Sequence, residues 1–276
     1  HGGWFYSIDA QGKPLDQRKD LYTHAFILFA CAHYWGKSRE PLVESTLNAA
    51  LEVIGQRFAT GDGLYEACLD RNWLTLETGP LQNPLMHLAE AFLATLHVRQ
   101  DSATQQALLE LCTAMHKRFI DPQHGVLMEK PLGAVDNWYE PGHQFEWYFL
   151  LQSSALLRGS KLHSALDKAF AFTEHFGVEQ PSGAVRAMLD LEMDGRPKDS
   201  TQRIWAQAEY LRALTLRPDS EAVVLHQLQA LQQRFLHAGG WHECRDEQGE
   251  VSRKDMPSTT PYHLATCYRG LAEYLL

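Results

Sequence analysis

Gly61-Asp62-Gly63-Leu64-Tyr65 is one of five glycine-centred segments that recur about every sixty residues along this chain. The others are Gly2-Gly3-Trp4-Phe5-Tyr6, Gly125-Val126-Leu127-Met128-Glu129, Gly183-Ala184-Val185-Arg186 and Gly239-Gly240-Trp241-His242-Glu243. Glycine between short apolar stretches is typical of tight β-hairpins. Two apolar patterns of helical length lie between consecutive segments. A fixed period with two helices per repeat predicts a toroid or solenoid, because one helix pair cannot bury its apolar face alone.

Apolar residues recur at helical spacing in nine stretches. These are residues 19–35, 41–58, 84–98, 102–119, 143–158, 161–176, 200–215, 219–236 and 261–275. A proline or capping residue stands at several starts, as in Asn83-Pro84, Pro141-Gly142 and Thr260-Pro261. The predicted hairpin turns are Asp9-Ala10-Gln11-Gly12, Asp194-Gly195 and Asp246-Glu247-Gln248-Gly249. The sequence therefore predicts a single all-α domain, an α/α barrel over residues 1–276, with small β-hairpins.

Composition and charge exclude several classes of protein. The net charge of −9 over 276 residues disfavours a nucleic-acid surface. No apolar run approaches the roughly eighteen residues of a membrane span, so we expect no membrane partner. The five cysteines are scattered and form no CxxC pair, which indicates a reducing, cytoplasmic compartment and neither a disulfide framework nor a zinc ribbon. They are Cys31, Cys68, Cys112, Cys244 and Cys267.

Five unusual side chains occupy nearly the same position in successive repeats. They are Tyr22, His87, His143, Trp205 and His263, with separations of 65, 56, 62 and 58 residues. If the helices that follow the hairpins form an inner ring, these side chains converge on one central cavity. Polar and aromatic side chains at the end of an apolar toroid are typical of a ligand site.

Each of these residues also has a purely structural interpretation. A single histidine on a helix is usually exposed or a satisfied core group, and Asn83 can equally be an N-cap. The shared phase of three histidines favours a site, because structural histidines would be scattered. Glu146 lies on the same helical face as His143 and is predicted to orient its imidazole. Tyr22 and Trp205 can be packing residues, yet aromatic rings at a cavity mouth also stack on sugars.

Four motifs in this chain carry a family resemblance. They are Asn83-Pro84-Leu85-Met86-His87-Leu88-Ala89-Glu90-Ala91, Gly142-His143-Gln144-Phe145-Glu146-Trp147, Trp205-Ala206-Gln207-Ala208-Glu209 and Pro261-Tyr262-His263-Leu264. They resemble the motifs of the N-acylglucosamine 2-epimerase superfamily, which includes mannose isomerase, sulfoquinovose isomerase and cellobiose 2-epimerase. The motifs follow the family order along the whole chain, and Met86 resembles the mannose-isomerase branch.

The resemblance implies an (α/α)6 barrel of twelve helices and conversion of a sugar at C1 and C2. It implies that His143 and His263 are the acid/base pair, that His87 and Glu146 support them, and that Tyr22, Asn83, Trp205 and Glu209 contact the substrate. For proton transfer by histidines we expect no metal and no other cofactor. Only nine helices are predicted, so about three are lacking, including one that carries a substrate-facing arginine in this family. Either the chain is N-terminally incomplete or the barrel is open on one side.

Histidine suits the implied chemistry on physical grounds alone. Aldose–ketose isomerisation moves a proton between neighbouring carbons through a cis-enediol(ate), and histidine is available in both protonation states near neutral pH. We therefore predict a sugar isomerase of the mannose/fructose type, with His263 as base and His143 as its partner. The small-molecule partner is the sugar itself, and a homodimer is left open.

Other functions stay open at this point. A 2-epimerase of the N-acylglucosamine or cellobiose type would use the same two histidines. A glycoside hydrolase or lyase would need paired carboxylates, for which Glu146 and Glu209 are candidates. Three histidines and a glutamate could ligate zinc or manganese in a metal-dependent isomerase. A non-catalytic carbohydrate-binding α/α barrel would result if the shortened front leaves the site incomplete.

Overall fold

The computed structural model describes residues 2–76, 79–190 and 195–276, and α-helices dominate these residues. The helices of the described residues are α1 Leu21–Ser38, α2 Pro41–Val53, α3 Gln82–Val98, α4 Ser102–Phe119, α5 Pro141–Ser153, α6 Lys161–Gly177, α7 Ile204–Leu214, α8 Glu221–Phe235 and α9 Thr260–Leu275. Each of the nine predicted stretches overlaps one of them. One π-helical turn, Ile54–Phe58, continues α2 to the predicted end of its stretch.

The strands are short and pair locally. They are β1 Ser7–Ile8, β2 Pro14–Asp16, β3 Lys19–Asp20, β4 Cys68–Leu69, β5 Val178–Glu179, β6 Ala184–Val185, β7 Met188–Asp190, β8 Arg196–Asp199, β9 Gln202–Arg203, β10 Leu236–His237, β11 Gly240–Trp241, β12 Cys244–Arg245 and β13 Val251–Arg253. Two-stranded antiparallel pairs join β1 to β2, β3 to β4, β5 to β6, β7 to β8 and β10 to β11. β13, β12 and β9 form a three-stranded sheet.

Four of the five glycine-centred segments lie in hairpin turns, as predicted. Bridges Ala59↔Tyr65 and Ile120↔Leu127 flank two of them, and the β5–β6 and β10–β11 pairs flank two more. Gly63 shows why glycine is required, since its φ is +87° and a Cβ there would lie 3.0 Å from the Glu110 carbonyl. The first segment, Gly2–Tyr6, is instead irregular, with positive φ at Gly2 and Gly3, and the Tyr6 N–H donates to Arg18 O. Asp194 lies outside the described residues, so the turn predicted there stays a prediction.

Two helix ends differ from the sequence prediction by more than three residues. α7 begins at Ile204 instead of residue 200, because residues 196–199 and 202–203 form β8 and β9. α5 ends at Ser153 instead of residue 158, and Ser154 is extended with φ −96° and ψ 114°. Ser153 Oγ donates to Leu150 O, a local bond that competes with helix continuation. At the start of α7 and at the end of α5, short non-helical segments therefore replace helix that the apolar pattern alone predicts.

The described residues form two compact units. Unit 1 comprises the chain up to Phe119 together with Glu129–Ala134, and unit 2 comprises Ile120–Met128 and Val135–Leu276. In unit 1, α1 packs against α3, while α2 covers α1 and α4 covers α3. In unit 2, α7 packs between α5 and α9, while α6 covers α5 and α8 covers α7. Within each unit the helices thus alternate between two layers, as the repeat predicts.

Burial follows these layers. α5 and α7 are buried on nearly all sides, whereas α2, α4, α6 and α8 bury one stripe, as amphipathic surface helices do. Two glutamine side chains hydrogen-bond hairpin backbone to the inner helices α5 and α7 of unit 2. The Gln144 side chain makes two hydrogen bonds to the Leu127 backbone, and Gln207 makes two to Val185. In the described part of the chain, none of the helices is long and apolar enough to cross a membrane.

His24 ties the N-terminal segment of unit 1 to α1. The ring is fully buried, with Nδ1 2.7 Å from Asp20 O and Nε2 accepting from the Trp4 N–H at 3.2 Å. Phe58 and Trp73 flank it at ring-centroid distances of 4.9 and 6.2 Å. Burial lowers the pKa of His24 to about 4, and the Lys19 ammonium contributes in the same direction. The neutral ring is therefore part of the folded state.

Protonation of His24 is expected to destabilise the protein in mild acid. An unfolded histidine titrates near pH 6.5, so the unfolded state binds the extra proton between about pH 6.5 and 4. The stability that neutral His24 contributes is fully present above about pH 6.5 and is lost as the pH falls toward about 4, by up to about 3 kcal/mol. Urea unfolding of the wild type and His24→Asn at several pH values measures this. The asparagine variant should lack this part of the pH dependence, and parallel curves for the two proteins would contradict it.

Candidate active site

Three predicted site residues lie in the first turns of three helices of unit 2. His143 is near the start of α5, Trp205 near the start of α7 and His263 near the start of α9. Pro141 and Pro261 occupy the first and second positions of α5 and α9, where the missing N–H is not needed. Since α7 packs against both neighbours, the three first turns are brought together.

The Trp205 indole contacts both imidazoles. Its ring centroid lies 5.0 Å from that of His143 and 5.3 Å from that of His263, with interplanar angles of 33° and 35°. Gly142 makes this packing possible, because a Cβ at that position would lie 2.6 Å from the Trp205 ring. The predicted grouping of these three side chains is confirmed within unit 2.

His263 is held by a buried carboxylate. His263 Nδ1 lies 2.7 Å from Glu209 Oε1, and the Glu209 side chain is fully buried. A carboxylate accepts hydrogen bonds only, so Nδ1 carries a proton and donates it to Glu209. His263 retains a little exposure at 8%. The ring is therefore oriented by Glu209, and Nε2 is the nitrogen that does not face this carboxylate.

Arg212 completes this network. Its NH1 lies 3.3 Å from Glu209 Oε2, and its guanidinium stacks 3.9 Å from the centroid of the Phe149 ring. Each Glu209 oxygen thus has its own cationic or N–H partner, which stabilises a buried carboxylate. Glu209 thus holds His263, and its contact with the substrate stays a prediction.

Cys267, one turn after His263, belongs to the same buried region. Burial raises the pKa of its thiol, and the negative charge of Glu209 acts in the same direction. The thiol therefore stays protonated and apolar in character, as a packing residue.

His143 has different surroundings. Its Nδ1 lies 3.9 Å from Glu140 Oε2, an ion-pair distance that is longer than a hydrogen bond. Glu146, the partner expected from the sequence, is fully buried and accepts a hydrogen bond from Tyr262 Oη at 3.3 Å. Tyr262 also packs edge-on against His263, with ring centroids 4.7 Å apart.

Sequence reasoning missed four residues around the two histidines. They are Glu140, Arg203, Arg212 and Tyr262. Glu140 carries a local signal, since a carboxylate three residues before a histidine at a helix start can reach it as readily as one three residues after. Arg212 also carries one, because its partner Glu209 lies three residues before it on α7. Arg203 carries none for its contact with Glu140, which lies 63 residues away in the sequence.

One group of side chains in unit 2 could hold a metal ion. Glu146, Glu209 and His263 each offer a ligand atom, and these atoms lie within 4.8 Å of one another. A cation here would have to share Glu209 with Arg212 and with the His263 N–H. The donors fit a divalent ion by type, but their existing bonds favour a proton-transfer network.

Unit 1 contains a second cluster of predicted residues. The His87 ring lies edge-on to Tyr22 at 4.9 Å and packs against Phe26 at 4.8 Å. His87 Nδ1 lies 3.6 Å from Glu90 Oε2, and both side chains are buried. Tyr22 and His87 are thus brought together, while the convergence of all five repeat residues on one cavity stays a prediction.

Asn83 lies inside α3 and is not its cap, because Leu81 takes the N-cap position. Its Oδ1 is buried and has no hydrogen-bond partner among the described residues. A buried carbonyl oxygen without a partner is costly unless a ligand satisfies it. The contact of Asn83 with the substrate stays a prediction.

Comparison with known proteins supports the motif resemblance. Residues 1–267 match the family model described as N-acylglucosamine 2-epimerase (GlcNAc 2-epimerase). A mannose-6-phosphate isomerase of Rhizobium meliloti (strain 1021) is 30% identical over 303 residues, covering 99% of this chain and 75% of that protein. A crystal structure of D-mannose isomerase covers 95% of this chain and 74% of its own, with a TM-score of 0.78 and 19% identity.

A further solved structure shares the fold. Cellobiose 2-epimerase from Bacillus thermoamylovorans B4167 has a TM-score of 0.83 and 17% identity over 98% of this chain and 76% of its own. These neighbours belong to the (α/α)6 barrel class, so the predicted fold class is confirmed. Together, fold and site define a carbohydrate-acting isomerase or epimerase. The chain belongs to the N-acylglucosamine 2-epimerase family.

Proposed function

We propose that this protein interconverts an aldose and a ketose of the mannose/fructose type. The observation that carries the proposal is the 2.7 Å bond from His263 Nδ1 to Glu209, which leaves Nε2 as a base beside the same indole that contacts His143. Two histidines in unlike surroundings can divide acid and base roles between them.

The proposed reaction moves two protons in each half. His263 Nε2 removes the proton from C2 of the open-chain aldose, and the C–H electron pair forms the C1–C2 double bond. The C1 carbonyl oxygen takes a proton from His143, which gives the cis-enediol. In the second half, the O2 hydroxyl returns a proton to His143 while C1 takes the proton from His263, which gives the ketose. Both histidines finish in their starting states.

The experiment is proton NMR of the purified protein with D-mannose, D-fructose and D-glucose in D₂O. Interconversion of mannose and fructose, with deuterium entering at C2 of the aldose, is the expected result. Mannose 6-phosphate belongs among the tested sugars because a relative carries its name. No conversion and no exchange with any of these sugars would refute the proposal.

A 2-epimerase is the second candidate, since two histidines on different helices could return the proton to the opposite face of C2. The same spectra separate the two reactions. An epimerase would give glucose from mannose without net fructose. The cellobiose 2-epimerase relatives make cellobiose a useful additional substrate.

Activity is expected to survive removal of metal ions. Both Glu209 oxygens already bond to His263 and Arg212, so the proposed proton transfers use no ion. Prolonged dialysis against EDTA, followed by metal analysis and the NMR assay, measures this. Loss of activity that zinc or manganese restores would favour the metal-dependent alternative.

The remaining features of the proposal concern the whole protein. We propose that residues 1–276 form a single domain, that the protein is cytoplasmic, and that it converts a small-molecule sugar without a cofactor. Light scattering on the purified protein distinguishes a monomer from the homodimer that the sequence left open.

A further inference from the structure

We propose that Glu140 is the positioning residue of His143, and that Arg203 and Trp138 hold the Glu140 carboxylate in place. The proposal rests on the function above for its kinetic consequence, while the contacts themselves stand apart from it. Glu140 is only 6% exposed and is the N-cap of α5, three residues before His143.

Three groups among the described residues of unit 2 lie close to the Glu140 carboxylate. Trp138 Nε1 donates to Oε1 at 3.3 Å, and Arg203 NH1 donates to Oε2 at 3.4 Å. His143 Nδ1 lies 3.9 Å from the same Oε2. Arg203 NH2 lies 3.9 Å from Asp199 Oδ2, which adds a second acidic group on the far side of the guanidinium. Glu140 is thus anchored from two directions and presents a shared oxygen to the histidine.

Arg203 is well placed for this task because of the fold. It is the N-cap of α7, the helix that packs against α5, and β9 pairs it with Cys244 of β12. A strand residue at a helix start has little freedom, so its guanidinium reaches Glu140 from a defined direction. The two N-caps of neighbouring inner helices are therefore joined by an ion pair beside the site.

The support of His143 contrasts with that of His263. Glu209 gives one oxygen wholly to His263 at 2.7 Å and the other to Arg212. Glu140 shares one oxygen between Arg203 and His143, at distances of 3.4 and 3.9 Å. The Glu140 carboxylate places negative charge beside His143 and so stabilises the protonated form of its ring. The two histidines therefore have unlike carboxylate supports.

Glu140→Gln, Arg203→Met and Arg203→Lys test this assignment by kinetics. Glu140→Gln should lower kcat for net conversion about tenfold or more, with KM changed less than about twofold. Exchange at C2 should fall less than conversion, because His263 is intact. Arg203→Lys should retain more activity than Arg203→Met. Glu179→Gln is the matched control, since it removes the carboxylate of a similar pair with Arg186 at 3.9 Å.

A purely structural role for Glu140 would lower exchange and conversion together, and wild-type kcat in Glu140→Gln would overturn the proposal. A second measurement does not depend on turnover. Imidazole ¹⁵N shifts, assigned with His143→Ala, should change for His143 and not for His263 in Glu140→Gln. Unchanged His143 shifts overturn the proposal even if no sugar is converted. A wild type that converts no sugar refutes the proposed function instead.

Discussion

His263→Ala is expected to abolish both conversion of the sugar and uptake of solvent deuterium at C2. The substitution removes the nitrogen that takes the C2 proton, and loss of a positioned general base costs about 10²–10⁴-fold in rate. The NMR assay in D₂O measures conversion and exchange in one experiment. His226→Ala, at an exposed position of α8, is the matched control and should keep wild-type activity.

Circular dichroism and thermal unfolding check that the variant is folded, because the substitution removes the 2.7 Å bond from His263 to the buried Glu209 carboxylate. Wild-type deuterium exchange in His263→Ala would show that the base is assigned to the wrong residue. His143→Ala is expected to differ, since it can retain slow C2 exchange while losing net conversion. Identical losses in both variants would argue against divided roles.

Arg212→Met is expected to destabilise the protein by about 3–5 kcal/mol, the cost of removing one partner from a buried ion pair. The Glu209 carboxylate is fully buried, and without Arg212 its Oε2 loses the 3.3 Å contact that balances its charge. Methionine keeps much of the side-chain volume over Phe149, so the loss reflects charge more than packing. Urea unfolding monitored by circular dichroism measures the free energy of unfolding.

Arg269→Met is the control for this prediction. Arg269 pairs with Glu273 in the same unit, but both side chains are 63% exposed, so the change should cost less than about 1 kcal/mol. Equal stabilities of Arg212→Met and Arg269→Met would mean that the Glu209–Arg212 pair is solvated and contributes little. Glu209 would then be a weak support for His263.

The helices could be predicted from the sequence because their signal is local. Apolar spacing, Pro141 and Pro261 at helix starts, and glycine in the turns all act within a few residues. The late start of α7 could not be predicted in this way. Residues 202–203 pair with β12, whose residues lie about forty positions further along the chain, and that pairing competes with helix formation.

The sequence alone determined which residue types stand at the helix starts, and the phase of the repeat singles out His143, Trp205 and His263. Which carboxylates contact the two histidines depends on the packing of the helices and cannot be taken from the sequence. Glu140 and Glu146 lie equally far from His143 along the chain, so local spacing cannot choose between them. We propose Glu140 because Arg203 of β9 anchors its carboxylate, whereas Glu146 accepts a hydrogen bond from Tyr262 of α9. Glu209 likewise reaches His263 across 54 residues, and such pairs exist only once the helices pack.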